Sequence, residues 1–391
     1  MLAVSRIFLA LCAVALAASA FPAEAFAQAR ASRAVPAKGA AAKSSAKKPA
    51  PAAADAEVSD LGEAEPENLP GENFSAAWPS VSRIADMLPA RVVRNGPDAW
   101  VYETQHFRFT ANAPVALSAI REIARIFEGT YAANLALPIN SPCNHHQVCE
   151  KGKFNAYLFE TYDQYLAAGG MKGSAGVFIG YGSGLDRGKV LVPFPSLGLE
   201  KRGNRYFKGG RRVDAKTLSH EITHHMTIGG NAYPTWFCEG LAEYVGLSYD
   251  GNGQVRFGGN KNVIGKFVAG YGEKGDGGRG IGGRPDVGMS LENFMNHRGS
   301  FIGDGFGGAG TGADATQIGY GVSALLVYYF FHLDGKRDAV RVKKFIAEIQ
   351  GGGNAESATA ALLDGRSWEQ LEKEIRRKLK VAFKVEPRFA D

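Results

Sequence analysis

The stretch Thr217-Leu-Ser-His-Glu-Ile-Thr-His-His-Met226 has the pattern of a helix and places three chemically active side chains within five residues. At 3.6 residues per turn, His220 and His224 lie one turn apart on the same face of that helix. Both imidazoles can then reach one zinc ion, and Glu221 lies beside them, where it can take a proton from water. The alternative is a solvated helix whose two histidines share no ligand.

A second helix is predicted after a short loop, in Pro234-Thr-Trp-Phe-Cys-Glu-Gly-Leu-Ala-Glu-Tyr244. Proline suits the first turn of a helix, and good helix formers follow it. Glu239 can complete a set of two histidines and one glutamate, which is a standard ligand set for catalytic zinc. Glu243 lies one turn further on, where it can accept a hydrogen bond from a ligand histidine and fix its tautomer. Alternatively, Glu239 is an exposed carboxylate and Glu243 is the ligand.

Together, these two segments resemble the gluzincin metallopeptidases, and in particular a bacterial branch described as peptidase-MA-like. In that branch an HExxH helix is followed by a segment that commonly reads P-x-W-x-x-E-G-L-A-E-Y. Weaker similarity extends to Thr104–Asn112 and Gly365–Glu372. The resemblance implies a zincin-like fold, Zn²⁺ as cofactor and peptides or proteins as substrates. It also implies roles for five residues: zinc ligands His220, His224 and Glu239, general base Glu221, and Glu243 as a hydrogen-bond partner of a ligand.

A peptidase of this kind also needs a hydrogen-bond donor for the oxyanion that forms at the scissile carbonyl. Tyr320 is predicted for this role, because it matches in chain order the tyrosine that begins the helix after the second segment in the resembled branch. Three other side chains remain alternatives: Tyr233, Tyr244 and His332. We interpret His225 and His297 as structural or surface residues.

The first 27 residues have the three parts of a secretory signal peptide. Met1–Arg6 is short and basic, Ile7–Ala20 is apolar, and Ala25-Phe-Ala27 is a small-residue cleavage site. We therefore expect residues 1–27 to be removed and the mature chain to be exported, either to the periplasm or out of the cell.

Residues 28–75 are rich in Ala, Pro and Lys and then in Glu, with almost no aromatic side chains. This composition cannot bury enough apolar surface to offset the entropy cost of ordering, so a disordered linker is predicted. The basic half of the linker could make a weak contact with an anionic envelope surface.

Charge and hydropathy argue against two classes of partner. Outside the signal peptide and linker, 38 basic and 31 acidic residues give a net charge of +7 that is modest and spread out, whereas nucleic-acid binding calls for clustered lysine and arginine on one face. Beyond the signal peptide, no segment reaches the ~20 apolar residues that a membrane span requires. The longest apolar run, Val322–Leu333, is interpreted as a buried helix.

The remaining sequence predicts an α+β fold with two lobes around a cleft. Residues 76–212 mix strand and helix patterns and predict a lobe with a small mixed sheet. Residues 213–391 predict a mostly helical lobe that carries both motif helices, with glycine-rich loops over 251–321. Gly173–Gly180 is our candidate for a sheet edge that pairs with substrate backbone, because small side chains let another chain approach closely. An ordinary strand interrupted by glycine is the alternative.

The cysteines fit an exported protein. Cys143 and Cys149 are predicted to form a disulfide that closes a short loop, the alternative being a second metal site built with His145 and His146. Cys238 precedes Glu239, and neighbours on a helix point about 100° apart, so its thiol should face the core and not the metal.

The sequence thus predicts an exported zinc peptidase in which Glu221 activates water. Two alternatives remain. One is an inactive zinc-binding or interaction protein on the same scaffold, and the other is a hydrolase of non-peptide amides in the cell envelope.

Overall fold

The computed structural model describes the chain from Val81 onward in segments: 81–84, 89–96, 99–137, 152–180, 188–211, 213–227, 233–257, 261–269, 279–301, 313–336 and 338–390. Four sequence predictions lie outside the described residues: the signal peptide 1–27, the linker 28–75, the Cys143–Cys149 disulfide, and the alternative site with His145 and His146.

Strands and helices alternate in the first half of the described chain, and helices dominate the second half. The strands are β1 (Val81–Arg83), β2 (Arg91–Asn95), β3 (Trp100–Glu103), β4 (Phe107–Ala111), β5 (Phe154–Phe159), β6 (Val177–Ile179), β7 (Lys189–Pro193), β8 (Leu199–Arg202), β9 (Arg205–Lys208), β10 (Tyr249–Gly251) and β11 (Gln254–Arg256). The helices are α1 (Leu117–Ala136), α2 (Tyr162–Ala167), α3 (Ala215–Thr227), α4 (Thr235–Ser248), α5 (Lys261–Ala269), α6 (Leu291–Asn296), α7 (Ala313–His332), α8 (Val340–Gln350), α9 (Ala355–Leu363) and α10 (Trp368–Phe383).

A six-stranded mixed sheet has the order β2-β3-β4-β5-β7-β6. Its central strands β4, β5 and β7 are parallel, while the strands at both edges pair antiparallel. β5 and β7 are buried along nearly their whole length, as expected for parallel strands covered on both faces. The candidate strand within residues 173–180 forms β6, which lies at one edge of this sheet. The predicted α+β class with a mixed sheet is therefore confirmed.

The two helices that carry the motifs belong to different hydrophobic cores. Leu218, Ile222 and Met226 of α3 are buried in the core of the large sheet, together with α1. α4 packs instead into a helical core with α7, α8 and α10. Because the apolar side of α3 faces the sheet, the opposite side, with His220 and His224, faces α4. The candidate site thus lies where the two cores meet.

Glycine allows α4 to pack closely between its neighbours. A Cβ atom at Gly240 would lie 2.4 Å from the carbonyl oxygen of Ser323 in α7, and one at Gly246 would lie 2.7 Å from that of Lys216 in α3. Real Cβ atoms do not approach backbone so closely, so helices this close need glycine at both positions. Gly240 directly follows Glu239, and its packing helps to fix the depth of that carboxylate.

We expect Gly240→Ala to lower the free energy of unfolding by about 1–3 kcal/mol, because α4 and α7 must move apart. The higher helix propensity of alanine offsets part of this loss of stability. Urea denaturation measures it, with Gly210→Ala as the control, since a Cβ at Gly210 meets no atom within 4 Å. An alanine at position 240 that left stability unchanged would mean that this contact is not tightly packed.

The range 251–321 contains more regular structure than its glycine content predicts. It includes α5, α6 and the first nine residues of α7, because Ile264 and Val268 of α5 and Phe294 of α6 fill the helical core. Tertiary burial outweighs the low helix propensity of the surrounding sequence. α7 also begins at Ala313, nine residues before the apolar run that predicted it. Tyr320 therefore lies inside this helix and not at its start.

Other helical predictions agree with the structure. Ser367 and Gln370 form the predicted capping box at the start of α10. The apolar run Val322–Leu333 is buried in the helical core. Of the helices in the described segments, α7 included, none is long and apolar enough to cross a membrane.

Candidate metal centre

Three side chains from α3 and α4 converge on one point. The Nε2 atoms of His220 and His224 lie 3.0 Å apart, and the Oε2 atom of Glu239 lies 3.4 Å and 3.1 Å from them respectively. Ligand atoms about 2.0–2.2 Å from a tetrahedral ion are separated by roughly 3.3–3.5 Å, so the triangle is close to the size that such an ion needs. The three residues could hold a metal ion. Imidazole and carboxylate donors suit zinc and several other divalent metals.

The charges of these residues favour a cation between them. Burial opposes ionisation of Glu239, but the positive charge of His224 and hydrogen bonds from both histidines outweigh it and hold the pKa of Glu239 well below its usual value. Burial likewise opposes protonation of His224, yet the Glu239 carboxylate raises the pKa of His224 to about 9. A positive charge is therefore stabilised at this point, whether a proton or a metal ion carries it.

Glu221 is held beside this cluster by the edge of the sheet. The backbone N–H of Phe178 in β6 donates a hydrogen bond of 2.7 Å to its Oε2 atom. Burial raises the pKa of Glu221, and the neighbouring histidine charges and the Phe178 hydrogen bond offset this only in part. A carboxylate with a raised pKa binds a proton more readily than an ordinary carboxylate and is better suited to act as a base. The predicted edge strand thus lies next to the predicted base.

Glu243 lies behind His220, and Arg279 holds it there. Its Oε1 atom is 3.6 Å from Nδ1 of His220, which is within ion-pair distance but longer than a hydrogen bond. The guanidinium of Arg279 donates to the same Oε1 atom through Nε, at 3.0 Å, and through Nη2. Arg279 also donates to Gln317 Oε1 at 3.0 Å. One carboxylate therefore joins a candidate ligand to a fixed cation.

Arg279 belongs to this site although no sequence pattern indicated it. Its guanidinium carbon lies 4.3 Å from the ring centre of Tyr320, and its backbone N–H donates to the Phe267 carbonyl at 2.8 Å. No periodic pattern connects residue 279 with Glu243, 36 positions earlier. The only signal was a single arginine within a glycine-rich run, Gly275–Gly283.

Tyr320 is the predicted oxyanion donor that the structure brings to the cluster. Its ring centre lies 6.1 Å from that of His220. Burial raises the pKa of Tyr320, the charge of Glu239 raises it further, and that of Arg279 offsets part of this rise. The hydroxyl consequently keeps its proton and can donate it in a hydrogen bond.

The alternative donors pack elsewhere. Tyr244 and His332 face each other in the helical core, with the Tyr244 hydroxyl 2.8 Å from His332 Nε2, and Tyr233 packs against Phe237. His225, interpreted as structural, is buried against Phe154 and Phe178, and burial lowers its pKa to about 3.

Two further sequence predictions concern His297 and Cys238. His297 stacks on Phe301, with ring centres 5.9 Å apart. Cys238 is a free thiol packed against the helical core, as predicted, and burial raises its pKa to about 12. Neither side chain contributes an atom to the three-residue cluster.

A cavity of about 960 Å³ opens beside the cluster and is lined by His220, Glu221, Glu243, Arg279 and Tyr320. Three further segments contribute to its walls: the approach to β6 (171–176), the start of α3 (213–217), and the passage from α4 to β10 (246–251). The cavity is therefore large enough to admit a short peptide beside Glu221 and Tyr320.

Comparison with known proteins adds no relative: no family model matches the chain, and no curated protein matches it significantly.

Replacing Arg279 tests its hold on Glu243. We expect Arg279→Met to lower the free energy of unfolding of the metal-free protein by about 2–4 kcal/mol, because the buried Glu243 carboxylate loses its cation. Arg279→Lys keeps the positive charge but not the planar guanidinium with its several N–H donors, so it should lower the free energy of unfolding by less. In a Glu243→Gln background the cost of Arg279→Met should shrink. An equal cost in both backgrounds would show that the two residues are not coupled.

Proposed function

We propose that this chain is a metal-dependent peptidase of the zincin type and that zinc is its ion. The observation that carries the proposal is the convergence of the His220, His224 and Glu239 ligand atoms to within 3.4 Å, with Glu221 fixed beside them at the wall of an open cavity. The resemblance of both motifs to the gluzincins, and a helix pair packed beside a sheet edge, support the same function. The signal-peptide pattern supports action in the periplasm or outside the cell.

The donor set fits zinc, and His220, His224 and Glu239 would hold the ion. When bound, zinc supplies Lewis-acid chemistry that polarises a carbonyl and lowers the pKa of water. Glu221 accepts a proton from the attacking water, and the Phe178 N–H keeps its carboxylate aimed at the cavity. Glu221 then delivers that proton to the leaving amine. Tyr320 donates a hydrogen bond to the oxygen on which negative charge develops.

The supporting residues keep these groups in place. Glu243 lies against His220 on the side away from Glu239 and can set the orientation of its ring. Arg279 fixes Glu243 and lies over the ring of Tyr320, so one guanidinium orders a neighbour of the ion and the oxyanion donor. Preorganised groups of this kind contribute to the rate because they need no rearrangement during the reaction.

A proteolysis screen tests this function. The mature protein, loaded with Zn²⁺, is incubated with unfolded proteins and a peptide mixture, and cleavage is followed by mass spectrometry. We expect cleavage that 1,10-phenanthroline abolishes and added Zn²⁺ restores. Cleavage that persists in the chelator would contradict a metal-dependent mechanism.

Two other outcomes would replace the proposal. Stable zinc binding without cleavage of any peptide would identify a non-catalytic binding protein. Chelator-sensitive hydrolysis of cell-wall amides, without hydrolysis of peptides between ordinary residues, would identify an envelope amidase. The same preparation serves all three assays, so the outcomes can be compared directly.

A further inference from the structure

The N-terminal chain enters the described structure at the rim of the cavity. β1 pairs antiparallel with β11, and Val81 lies opposite Arg256. Arg256 and the neighbouring residues 249–251 line the cavity. Because the two strands run in opposite directions, Val81 is at the end of β1 that lies beside Arg256. The described chain therefore begins at the cavity and not on a distant face.

Two of the apolar side chains that line the cavity are exposed. Met171 is 42% exposed and Val263 37%, and both line this cavity together with the half-buried Phe267. Exposed apolar side chains in a concave surface are typical of a place where another group binds.

Two lysines also line the cavity. Lys172 and Lys216 line the cavity, and neither forms an ion pair within the described segments. The carboxylates nearby are engaged: Asp250 pairs with Arg256, and Asp214 accepts hydrogen bonds from Thr217 at the start of α3. The cavity thus presents exposed apolar side chains and two lysines to a ligand.

The sequence before β1 has complementary chemistry. Residues 73–80, Asn-Phe-Ser-Ala-Ala-Trp-Pro-Ser, carry two aromatic side chains, Phe74 and Trp78, and no charge. The preceding residues 55–72 contain seven carboxylates, and residues 49–82 contain no lysine or arginine. A sphere of 960 Å³ is about 12 Å across, and eight extended residues span about 26 Å, so this segment is long enough to cross the cavity.

We propose that residues 73–80 bind in this cavity of their own chain, with Trp78 and Phe74 against Met171 and Val263 and the acidic residues 55–72 near Lys172 and Lys216. Only two residues separate Trp78 from β1, and so short a tether keeps its local concentration in the millimolar range or above. The docking does not depend on catalysis. Its consequence, that the segment competes with peptides for the cavity, rests on the proposed function.

Tryptophan fluorescence of the full mature chain tests the docking. The chain has four tryptophans, and the difference between wild type and Trp78→Phe isolates the signal of Trp78. We expect this signal to be shielded from acrylamide. Val263→Glu places a carboxylate among the apolar side chains that line the cavity and should make Trp78 severalfold more accessible to the quencher.

Val381→Glu is the matched control, because Val381 is 75% exposed on α10 and does not line the cavity. It should leave the quenching of Trp78 unchanged, and equal urea midpoints for both glutamate variants would show that the fold is intact. A freely quenched Trp78 in the wild type, or equal effects of both variants, would overturn the proposal. Shielding that rises with protein concentration would also overturn it, in favour of docking between two copies.

The effect of the segment on peptide cleavage is measured in a separate experiment. If the chain is a peptidase, Trp78→Ala should lower KM and leave kcat unchanged, because a competitor is removed from the cavity. If no peptide is cleaved, the proposed function fails, and the quenching result still decides whether the segment docks.

Discussion

Glu221→Gln is expected to lower kcat by about 10²–10⁴-fold while metal content stays at the wild-type level. Glutamine has the same shape as glutamate, and its Oε1 atom can still accept the hydrogen bond from Phe178. It cannot accept a proton from water. The variant therefore removes the chemistry of the base and leaves its position unchanged.

Both quantities are measured on one preparation, metal by mass spectrometry and turnover by cleavage of whichever peptide the screen identifies. Glu292→Gln, at the exposed start of α6, is the control for loss of a carboxylate elsewhere. Undiminished turnover in Glu221→Gln would assign the base to another residue. Loss of metal together with turnover would show that Glu221 supports the ion and is not a separate base.

The helices of the site were predictable because the evidence for them is local. His220 and His224 share a face through the helical repeat, and Glu239 follows in a segment with its own start signal. Local patterns of this kind survive folding when tertiary packing agrees with them. Here it does, because the apolar side of α3 faces the sheet.

The supporting contacts were not predictable because they join distant positions. Arg279 reaches Glu243 across 36 residues, and the Phe178 N–H reaches Glu221 across 43. Every residue except proline has a backbone N–H, so the sequence does not show which one donates to Glu221. A single arginine among glycines has no periodicity that would connect it with Glu243. The edge position of β6 follows from a strand order, β5-β7-β6, that reverses the chain order of its last two strands.

Glycine content was misleading in one place and informative in another. Helices α5 and α6 form within a glycine-rich range because their apolar residues fill the helical core. Gly240, by contrast, lies in a strong helical pattern, and there glycine allows close contact with Ser323. Composition alone cannot separate these cases, because the difference lies in what packs against each backbone.

Glu239→Gln is expected to weaken zinc binding by more than about 100-fold, whereas Glu243→Gln should weaken it by about 10–100-fold. An amide oxygen is a poorer ligand than a carboxylate oxygen. The Glu239→Gln substitution also removes the negative charge that favours a cation between His220 and His224. Glu243 lies beside Nδ1 of His220, the ring nitrogen that faces away from Glu239. Its loss therefore affects the orientation of one ligand but not the number of ligands.

Competition with a chromophoric chelator measures both affinities at one pH, and Glu292→Gln serves again as the control. The order of the two effects decides between the two carboxylates that the sequence offered as third ligand. A larger loss in Glu243→Gln than in Glu239→Gln would reverse the assignment, because the residue that binds the ion directly must contribute more than the one that orients its partner.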